Sequence, residues 1–311
     1  MLEAEFPDWP ASKILEKTGI ESRHVAAPNE FASDMGVAAA RRLFDENPDA
    51  RTGIDYLLFV SATPDHLVPP TACRVQQALE LPTTVAAIDV NQGCSGFTYG
   101  LAMASALVES GRFDKVLLIT STRLTSYTDE AYHGSKTLLG DAATACIVEH
   151  AREAVRGGLV CGSTHGTDGR GERDIIVPTS AMRGFEGDET APESKPTFVM
   201  DGPKVFQFSL RVVPGHLKEA LETAGLTQDD VDLFIFHQAN AFMLEHLRRR
   251  LRIPEEKFML RIADVGNTGA STIPLALETA LKEGRIGSGD RVMLVAFGTG
   301  YSWGSVILEY A

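Results

Sequence analysis

The sequence lacks the cysteine pattern and the long apolar segment that would assign it to several common classes of protein. Its four cysteines are far apart and form no CxxC pair, which argues against a zinc knuckle or a disulfide scaffold and fits a reducing compartment. No apolar run approaches the roughly 18 residues of a membrane-spanning helix. The start, "MLEAEFPDWPASK", has acidic residues and prolines where a signal peptide is basic and then apolar. We expect a cytoplasmic protein without membrane attachment.

Positive charge is also scarce. The chain has 29 lysines and arginines against 42 aspartates and glutamates, a net charge of −13. We therefore expect no nucleic-acid partner, and binding of an acidic protein would need a local basic patch. No spacing of histidines, cysteines and carboxylates matches a metal site, and we expect neither a metal nor another cofactor.

Short apolar runs rich in Val, Ile and Leu are abundant. The clearest are "YLLFVSA", "KVLLITST", "ATACIVEH", "DLFIFHQ", "RVMLVAFG" and "GSVILEY". Continuous rather than alternating apolarity is typical of strands buried on both faces of a sheet, and amphipathic helical stretches lie between the runs. Residues from about 168 to 203 are rich in Gly, Pro, Glu and Arg and are predicted to form a long irregular excursion.

One internal similarity predicts a duplicated fold. "VAAIDVNQGCSGFTYGLAMASAL" and "VDLFIFHQANAFMLEHLRRRL" each have the pattern of strand, tight turn and amphipathic helix, and we take the turns that carry Cys94 and His237 to correspond. In α/β sheets, ligands meet the carboxyl ends of strands and the amino ends of the following helices. Two such ends that face each other would bring Cys94 and His237 together.

Cys94 is a candidate nucleophile. A thiol at a helix N-terminus lies near the positive end of the helix dipole, which favours the reactive thiolate. Its small neighbours Gly93, Ser95 and Gly96 leave room for a substrate carbonyl. The alternative is a buried structural cysteine, because free cysteines are among the most buried residues.

Three further segments carry weaker signals when each is taken alone. His237 ends the apolar run "LFIF", where a structural buried histidine is an equal alternative. Asn267 lies between glycines in "DVGNTGASTIPLAL" and could present its amide N–H to an oxygen, although such turns are common without function. The turn in "AFGTGYSWGSVIL" could expose backbone N–H groups at Gly298 or Gly300 to an oxyanion, or be a plain hairpin.

Together and in this order, these segments resemble the thiolase superfamily, specifically the β-ketoacyl-acyl-carrier-protein synthase III family. The matching motifs are "GCSGFTYGL", "HQAN", "GNTGAS" and "FGTGYSWGS", with smaller matches in "KTGIESRHVA", "LLGDAATA" and "MDGPKVFQF". The resemblance implies an α/β thiolase-like fold, in which two duplicated βαβαβαββ halves form a layered α-β-α-β-α sandwich. We assign residues 1–165 to the half with the nucleophile and residues 166–311 to the half with the histidine and asparagine.

The resemblance also implies an activity. Cys94 matches the acylated nucleophile, and His237 and Asn267 match the pair that binds the malonyl thioester oxygen. The backbone N–H groups of Cys94 and Gly300 match the oxyanion hole. The implied enzyme is a condensing acyltransferase that joins an acyl-CoA starter to malonyl-acyl carrier protein with loss of carbon dioxide, in fatty-acid biosynthesis or a specialised pathway. Its expected partners are acyl carrier protein, acyl-CoA and a second copy of the chain, since family members are homodimers and the strand "TVAAIDV" could pair across the two-fold axis.

Some positions depart from the family pattern. Where members carry a tryptophan and an arginine that hold the adenine of CoA, this chain has Lys13 and Lys17, which we keep as candidate CoA contacts. An arginine of the family's carrier-protein surface is replaced by Phe242. Basic residues further along the same segment are either its substitutes or a solvated helix face: Arg248, Arg249, Arg250 and Arg252. Members open with a buried strand ahead of "EFPDWPASKILEKTGI", so we expect the N-terminus as given to be truncated or incompletely represented.

Other activities of the same scaffold are weighed against this one. "VAFGTG" has Ala296 and Phe297 where a thiolase carries a second cysteine, which disfavours a reversible thiolase, and chalcone-synthase-like enzymes lack "HQAN" in this form. A related enzyme could move the acyl group to an oxygen or nitrogen nucleophile. A catalytically silent carrier-binding or dimer partner is a further alternative. The joint presence of Cys94, His237 and Asn267 favours condensation over both.

Overall fold

The computed structural model describes residues 2–129, 133–151, 157–178, 180 and 197–311. The α-helices are α1 Leu2–Glu5, α2 Ala11–Thr18, α3 Ala32–Glu46, α4 Thr71–Ala78, α5 Gly96–Glu109, α6 His133–Lys136, α7 Gly202–Thr223, α8 Ala241–Leu251 and α9 Thr272–Lys282. The strands are β1 Tyr56–Val60, β2 Ala86–Val90, β3 Lys115–Arg123, β4 Asp141–Glu149, β5 Gly158–Thr167, β6 Ile175–Ile176, β7 Val199–Met200, β8 Leu233–Phe236, β9 Phe258–Met259, β10 Arg291–Gly298 and β11 Ser302–Tyr310. Short 3-10 turns lie at Pro48–Arg51, Leu124–Tyr127, Gly169–Gly171, Gln228–Asp230, Glu255–Lys257 and Gly269–Ser271.

Two mixed sheets organise the chain. The first has the strand order β2-β1-β3-β4 and the second the order β5-β11-β10-β8-β9. In the first, β1 is parallel to β2 and β3, and β4 is antiparallel to β3. In the second, β8 is parallel to β9 and β10, and β11 is antiparallel to both β10 and β5. All six apolar runs singled out in the sequence form strands of these two sheets, which confirms the prediction.

The sheets are layered between helices, and the alternation of side chains along β1 shows why its sequence is apolar throughout. Leu58 and Val60 pack against the central helices α5 and α9, whereas Leu57 and Phe59 pack against the outer helices α3 and α4. The helices α7 and α8 cover the outer face of the second sheet. The layers are therefore α-β-α-β-α, as the resemblance implies.

The two sheets repeat one order of elements. Apart from the short helix α6 between β3 and β4, the first follows α3-β1-α4-β2-α5-β3-β4 and the second α7-β8-α8-β9-α9-β10-β11. By this order β2 corresponds to β9 and β1 to β8. The prediction that the turns of Cys94 and His237 correspond is therefore wrong, because Cys94 follows β2 whereas His237 follows β8. The counterpart of the Cys94 turn is the segment that carries Asn267 ahead of α9.

The predicted excursion contains a small two-stranded sheet. Within the part of it that the structure describes, β6 pairs antiparallel with β7, with Ile175 opposite Met200. The rest of the excursion, residues 179 and 181–196, lies outside the described residues. The division of the chain between residues 165 and 166 stays a prediction, and that point lies within β5, which hydrogen-bonds to β11.

Candidate active site

One cavity of about 320 Å³ contains the three predicted catalytic side chains. Cys94, His237 and Asn267 all line it. Cys94 and Asn267 lie just ahead of the central helices α5 and α9. His237 lies between β8 and the outer helix α8. The prediction that Cys94 and His237 meet is confirmed, although by a route other than the proposed correspondence.

Cys94 lies in the turn between β2 and α5. Its Sγ is 4.0 Å from Thr299 Oγ1. Burial raises the pKa of the Cys94 thiol, but the charge on His237 and hydrogen bonds from His237 and Thr299 outweigh burial, and the net pKa falls to about 7. A Cβ at Gly298 would lie 2.5 Å from the Cys94 Cβ, so only glycine leaves the thiol its space. The site is thus built to hold a cysteine with substantial thiolate character near neutral pH.

His237 is fixed by contacts on two sides. Its backbone N–H donates to Val295 O at 2.8 Å, and its Nδ1 lies 2.8 Å from Thr272 Oγ1, while only 1% of the residue is exposed. The Thr272 hydroxyl donates its one proton to Gly269 O at 2.9 Å, so in its contact with His237 it accepts from the Nδ1–H. The neutral ring therefore carries its proton on Nδ1, and its Nε2 presents a lone pair that can accept a proton.

The remaining polar residues of "HQAN" have structural partners. Gln238 Nε2 donates to Phe236 O and Met259 O at 2.6 and 3.3 Å, and its Oε1 accepts from the Arg261 N–H at 2.7 Å. Asn240 Oδ1 accepts from the Met243 N–H at 2.7 Å and caps α8. These bonds hold the loop that places His237 at the cavity.

Asn267 is held by its backbone and by half of its amide. Its backbone N–H donates to Leu138 O at 2.9 Å, and its backbone carbonyl accepts from the Gly140 N–H at 3.0 Å. Its Oδ1 accepts from the Gly269 N–H at 3.0 Å. Because the amide oxygen is engaged in this way, the Nδ2 group is the part of the side chain left to donate to a ligand.

The turn between β10 and β11, which carries Gly300, is tied to the turn of Cys94. Ser95 Oγ and Ser302 Oγ are 2.6 Å apart, and the Ser302 hydroxyl reaches Thr299 O at 2.6 Å. Gly300 has a φ of +134°, a conformation that favours glycine. The oxyanion hole at the backbone of Cys94 and Gly300 stays a prediction.

Two family models match the chain. The model described as 3-oxoacyl-[acyl-carrier-protein (ACP)] synthase III matches residues 88–169, and the model of its C-terminal part matches residues 221–310. A beta-ketoacyl-[acyl-carrier-protein] synthase III from Caldanaerobacter subterraneus subsp. tengcongensis is 34% identical over 298 residues, which are 96% of this chain and 89% of the relative.

The chain belongs to the 3-oxoacyl-[acyl-carrier-protein] synthase III family.

Solved structures agree with this membership. A crystal structure of a 3-oxoacyl-(acyl-carrier-protein) synthase III is 39% identical, with a TM-score of 0.93 over 99% of this chain and 94% of the other. The beta-ketoacyl-[acyl carrier protein] synthase III from Thermus thermophilus is 36% identical, with a TM-score of 0.89 over 98% of this chain and 92% of the other. The thiolase-like fold predicted from the motifs is confirmed.

The two candidate CoA contacts, Lys13 and Lys17, lie at different places relative to the cavity. Lys17 lines the cavity mouth. Lys13, one helical turn earlier, lies with its Nζ 4.2 Å from the centre of the Trp9 ring and is not among the lining residues. The structure therefore brings one of the two lysines to the site.

The arginine cluster of α8 is partly neutralised. Arg248 and Arg249 both form ion pairs with Glu245, and the Arg248 side chain is only 16% exposed. Arg252 is exposed at the end of α8, in the left-handed conformation. Phe242 lines the cavity and is 49% exposed.

Several residues of this site were not singled out from the sequence. Thr272 and Thr299 contact His237 and Cys94. Both lie within or just beyond motifs that were quoted, so motif proximity is the signal that could have found them. Part of the apolar wall, Ile175 and Phe198, comes from the irregular excursion and lies in no quoted motif.

The part of the chain that the structure describes offers neither a metal site nor a membrane-spanning helix. No group of three or more histidines, cysteines and carboxylates could hold a metal ion. Among the same residues, no helix combines the length and the apolarity needed to cross a membrane.

Proposed function

We propose that Cys94, His237 and Asn267 are the catalytic residues of a decarboxylating condensation that joins an acyl-CoA starter to malonyl-acyl carrier protein and yields a 3-oxoacyl-acyl carrier protein. The observation that carries this proposal is that a low-pKa cysteine, a histidine and an asparagine amide share one cavity in a synthase III family member. The pathway is fatty-acid initiation or a specialised one.

In the first half-reaction, Cys94 takes the acyl group. The thiol gives its proton to Nε2 of His237, and the thiolate attacks the thioester carbonyl of acyl-CoA. The backbone N–H groups of Cys94 and Gly300 donate to the tetrahedral oxyanion. The carbon–sulfur bond to CoA then breaks, CoA leaves as a thiolate that takes one proton from solvent, and Nε2 of His237 keeps the proton that came from Cys94.

In the second half-reaction, the malonyl thioester loses carbon dioxide and becomes an enolate. His237 Nε2–H and Asn267 Nδ2–H donate to the enolate oxygen, each bond contributing roughly 10²- to 10³-fold in rate. The enolate carbon attacks the Cys94 thioester, and the intermediate collapses to release the 3-oxoacyl product and the Cys94 thiolate, which takes back the proton held on Nε2 of His237. The reaction balances without a metal or an organic cofactor.

The proposal includes three binding partners. Acyl-CoA enters at the mouth beside Lys17, and acyl carrier protein docks on the basic end of α8, where Arg252 is exposed. A second copy of the chain pairs at β2, an edge strand of the first sheet in the described residues, whose Ile88 is 42% exposed. Light scattering at micromolar concentration should give the mass of a dimer, and a monomeric mass would refute this part.

The experiment that tests the reaction separates its two halves. Wild type with acyl-CoA and malonyl-acyl carrier protein should give a 3-oxoacyl-carrier protein by mass spectrometry. Asn267→Ala should still form the acyl-enzyme within a few-fold of the wild-type rate but lose condensation by roughly 10²- to 10³-fold. Acyl transfer to an alcohol or amine, without carbon dioxide release, would instead establish the alternative acyltransferase.

A further inference from the structure

Tyr301 directly follows Gly300 in the turn between β10 and β11, and its ring is confined. It is 4% exposed and stacks on Phe208 of α7, with ring centroids 3.8 Å apart and planes 7° from parallel. Gly171 also packs closely against the ring, because an added Cβ at Gly171 would overlap it. Packing alone therefore fixes the Tyr301 ring, so the position of the ring does not depend on the hydrogen bond that its hydroxyl forms.

That hydroxyl reaches an acidic residue beside the cavity wall. Tyr301 Oη donates to Asp174 Oδ2 at 2.7 Å, while Asp174 Oδ1 accepts from Lys204 Nζ at 3.1 Å. The Tyr301 hydrogen bond, more than the nearby Lys204, holds the pKa of Asp174 below its ordinary value, so the carboxylate stays charged. Charge-assisted hydrogen bonds of this kind are about twice as strong as neutral ones.

Asp174 immediately precedes the two-stranded sheet that forms one side of the cavity. We call the paired segments Ile175–Ile176 and Val199–Met200 the β6–β7 wall. Ile175 and Met200 are opposite each other in this sheet, and both line the cavity. The Asp174 carbonyl also accepts from the N–H of Asp201, which caps α7. The carboxylate thus sits where β6, β7 and α7 meet.

The backbone of the turn has its own support. Tyr301 N–H donates to Asp168 O, and Asp168 N–H donates to Tyr301 O, both at 2.9 Å. These two bonds and the ring stacking remain when only the hydroxyl is removed. Loss of the hydroxyl therefore affects the connection to Asp174 without releasing the turn that carries Gly300.

We propose that Tyr301 is a positioning residue whose hydroxyl, acting through Asp174, holds the β6–β7 wall and so sets how tightly the cavity binds the thioester arms of its substrates. This deepens the proposed function and depends on it for its kinetic consequence. The β6–β7 wall lines the cavity, whereas the three catalytic side chains are held by other contacts. Tyr301 and Asp174 therefore act on substrate binding and not on the chemical step.

The kinetic test is a double-mutant cycle of Tyr301→Phe and Asp174→Ala, with Tyr310→Phe as the control that removes a tyrosine hydroxyl from the far end of β11. We expect Tyr301→Phe to raise KM for both thioester substrates about 3- to 10-fold with kcat within about twofold. In the Asp174→Ala background the same change should have no further effect. An unchanged KM, a loss confined to kcat, or effects that multiply would overturn the proposal.

A second readout needs no turnover. Backbone amide hydrogen exchange of peptides that cover 173–178 and 197–202 should be several-fold faster in Tyr301→Phe and Asp174→Ala, and unchanged in Tyr310→Phe. Equal exchange in wild type and Tyr301→Phe would overturn the proposal. If wild type makes neither acyl-enzyme nor product, the proposed function fails, and the exchange result still decides whether the hydroxyl holds the wall.

Discussion

His237 Nδ1 lies 2.8 Å from the hydroxyl of Thr272, and that hydroxyl also lies 2.9 Å from Gly269 O. Thr272 is itself buried, at 1% exposure, in the first turn of α9. Thr272, the first residue of α9, therefore orients the imidazole of His237. The N-terminal end of α9 thus positions both proposed hydrogen-bond donors, His237 and Asn267.

Replacing Thr272 by valine keeps the shape of the side chain and removes the hydroxyl that Nδ1 of His237 contacts. We expect Thr272→Val to lower the rate of malonyl-carrier-protein decarboxylation about 10- to 100-fold, because the buried imidazole loses its orienting partner. Thr272→Ser should recover most of the rate. Equal rates for the valine and serine variants would contradict this role.

The thiolate fraction of Cys94 should rise with pH through a midpoint near 7, the value to which His237 and Thr299 bring its pKa. Alkylation by iodoacetamide, followed by peptide mapping to separate Cys94 from the exposed Cys73 and Cys161, measures this midpoint. His237→Gln removes the charge, so its midpoint should move upward. Cys146, whose pKa burial raises to about 12, serves as the unreactive control. A wild-type midpoint at the ordinary cysteine value, about 8.5, would refute the assignment.

His216 predicts an acid limit on stability. It is 4% exposed, its Nε2 lies 2.8 Å from Ser305 Oγ, and burial, together with the charge of His165, lowers its pKa to about 4. The unfolded chain, with an ordinary histidine pKa of about 6.5, therefore binds more protons between these values. Stability that is fully present above pH 6.5 is lost as the pH falls toward 4, by up to about 3 kcal/mol.

Urea unfolding from pH 7 to pH 4.5 checks this effect. His216→Gln should show a flatter pH dependence than wild type, whereas replacement of the exposed His150 by Gln should not. Identical slopes in wild type and His216→Gln would show that another group sets the acid limit.

The two lysines of α2 form a matched pair for the mouth of the cavity. Lys17→Ala should raise KM for acyl-CoA about 2- to 5-fold at low salt, because a cation at the entrance attracts an anionic substrate. Lys13→Ala should leave KM unchanged, since Lys13 lies against Trp9 outside the cavity. If the two variants behave alike, Lys17 has no special place in donor binding.

The strands, the central helix and the three catalytic candidates could be predicted from the sequence, because each has a local signal. Continuous apolarity marks strands such as β1 and β10, and α5 buries Phe97, Leu101 and Ala104 on one face at helical spacing. Cys94 and Asn267 each lie among small residues ahead of a helix, and His237 is the polar residue that ends an apolar run. These signals depend on near neighbours, so they survive without tertiary information.

The features that could not be predicted from the sequence depend on contacts between residues far apart in the chain. The correspondence of the Cys94 turn with the Asn267 segment follows from strand order, which the two matched motifs did not reveal. The bonds from Thr272 to His237 and from Tyr301 to Asp174 join residues 35 and 127 positions apart. Lys13 and Lys17 look alike in the sequence and lie on the same face of α2, and only their positions along the helix, one turn apart, separate them.

The measurement that tests the central claim most directly is the intact mass of the protein after incubation with a panel of acyl-CoAs. The account predicts a mass gain equal to one acyl group with at least one donor, located on the Cys94 peptide and absent in Cys94→Ser. Subsequent malonyl-acyl carrier protein should return the protein to its original mass as the 3-oxoacyl product appears. No adduct with any donor, or an adduct that persists in Cys94→Ser, would contradict the account.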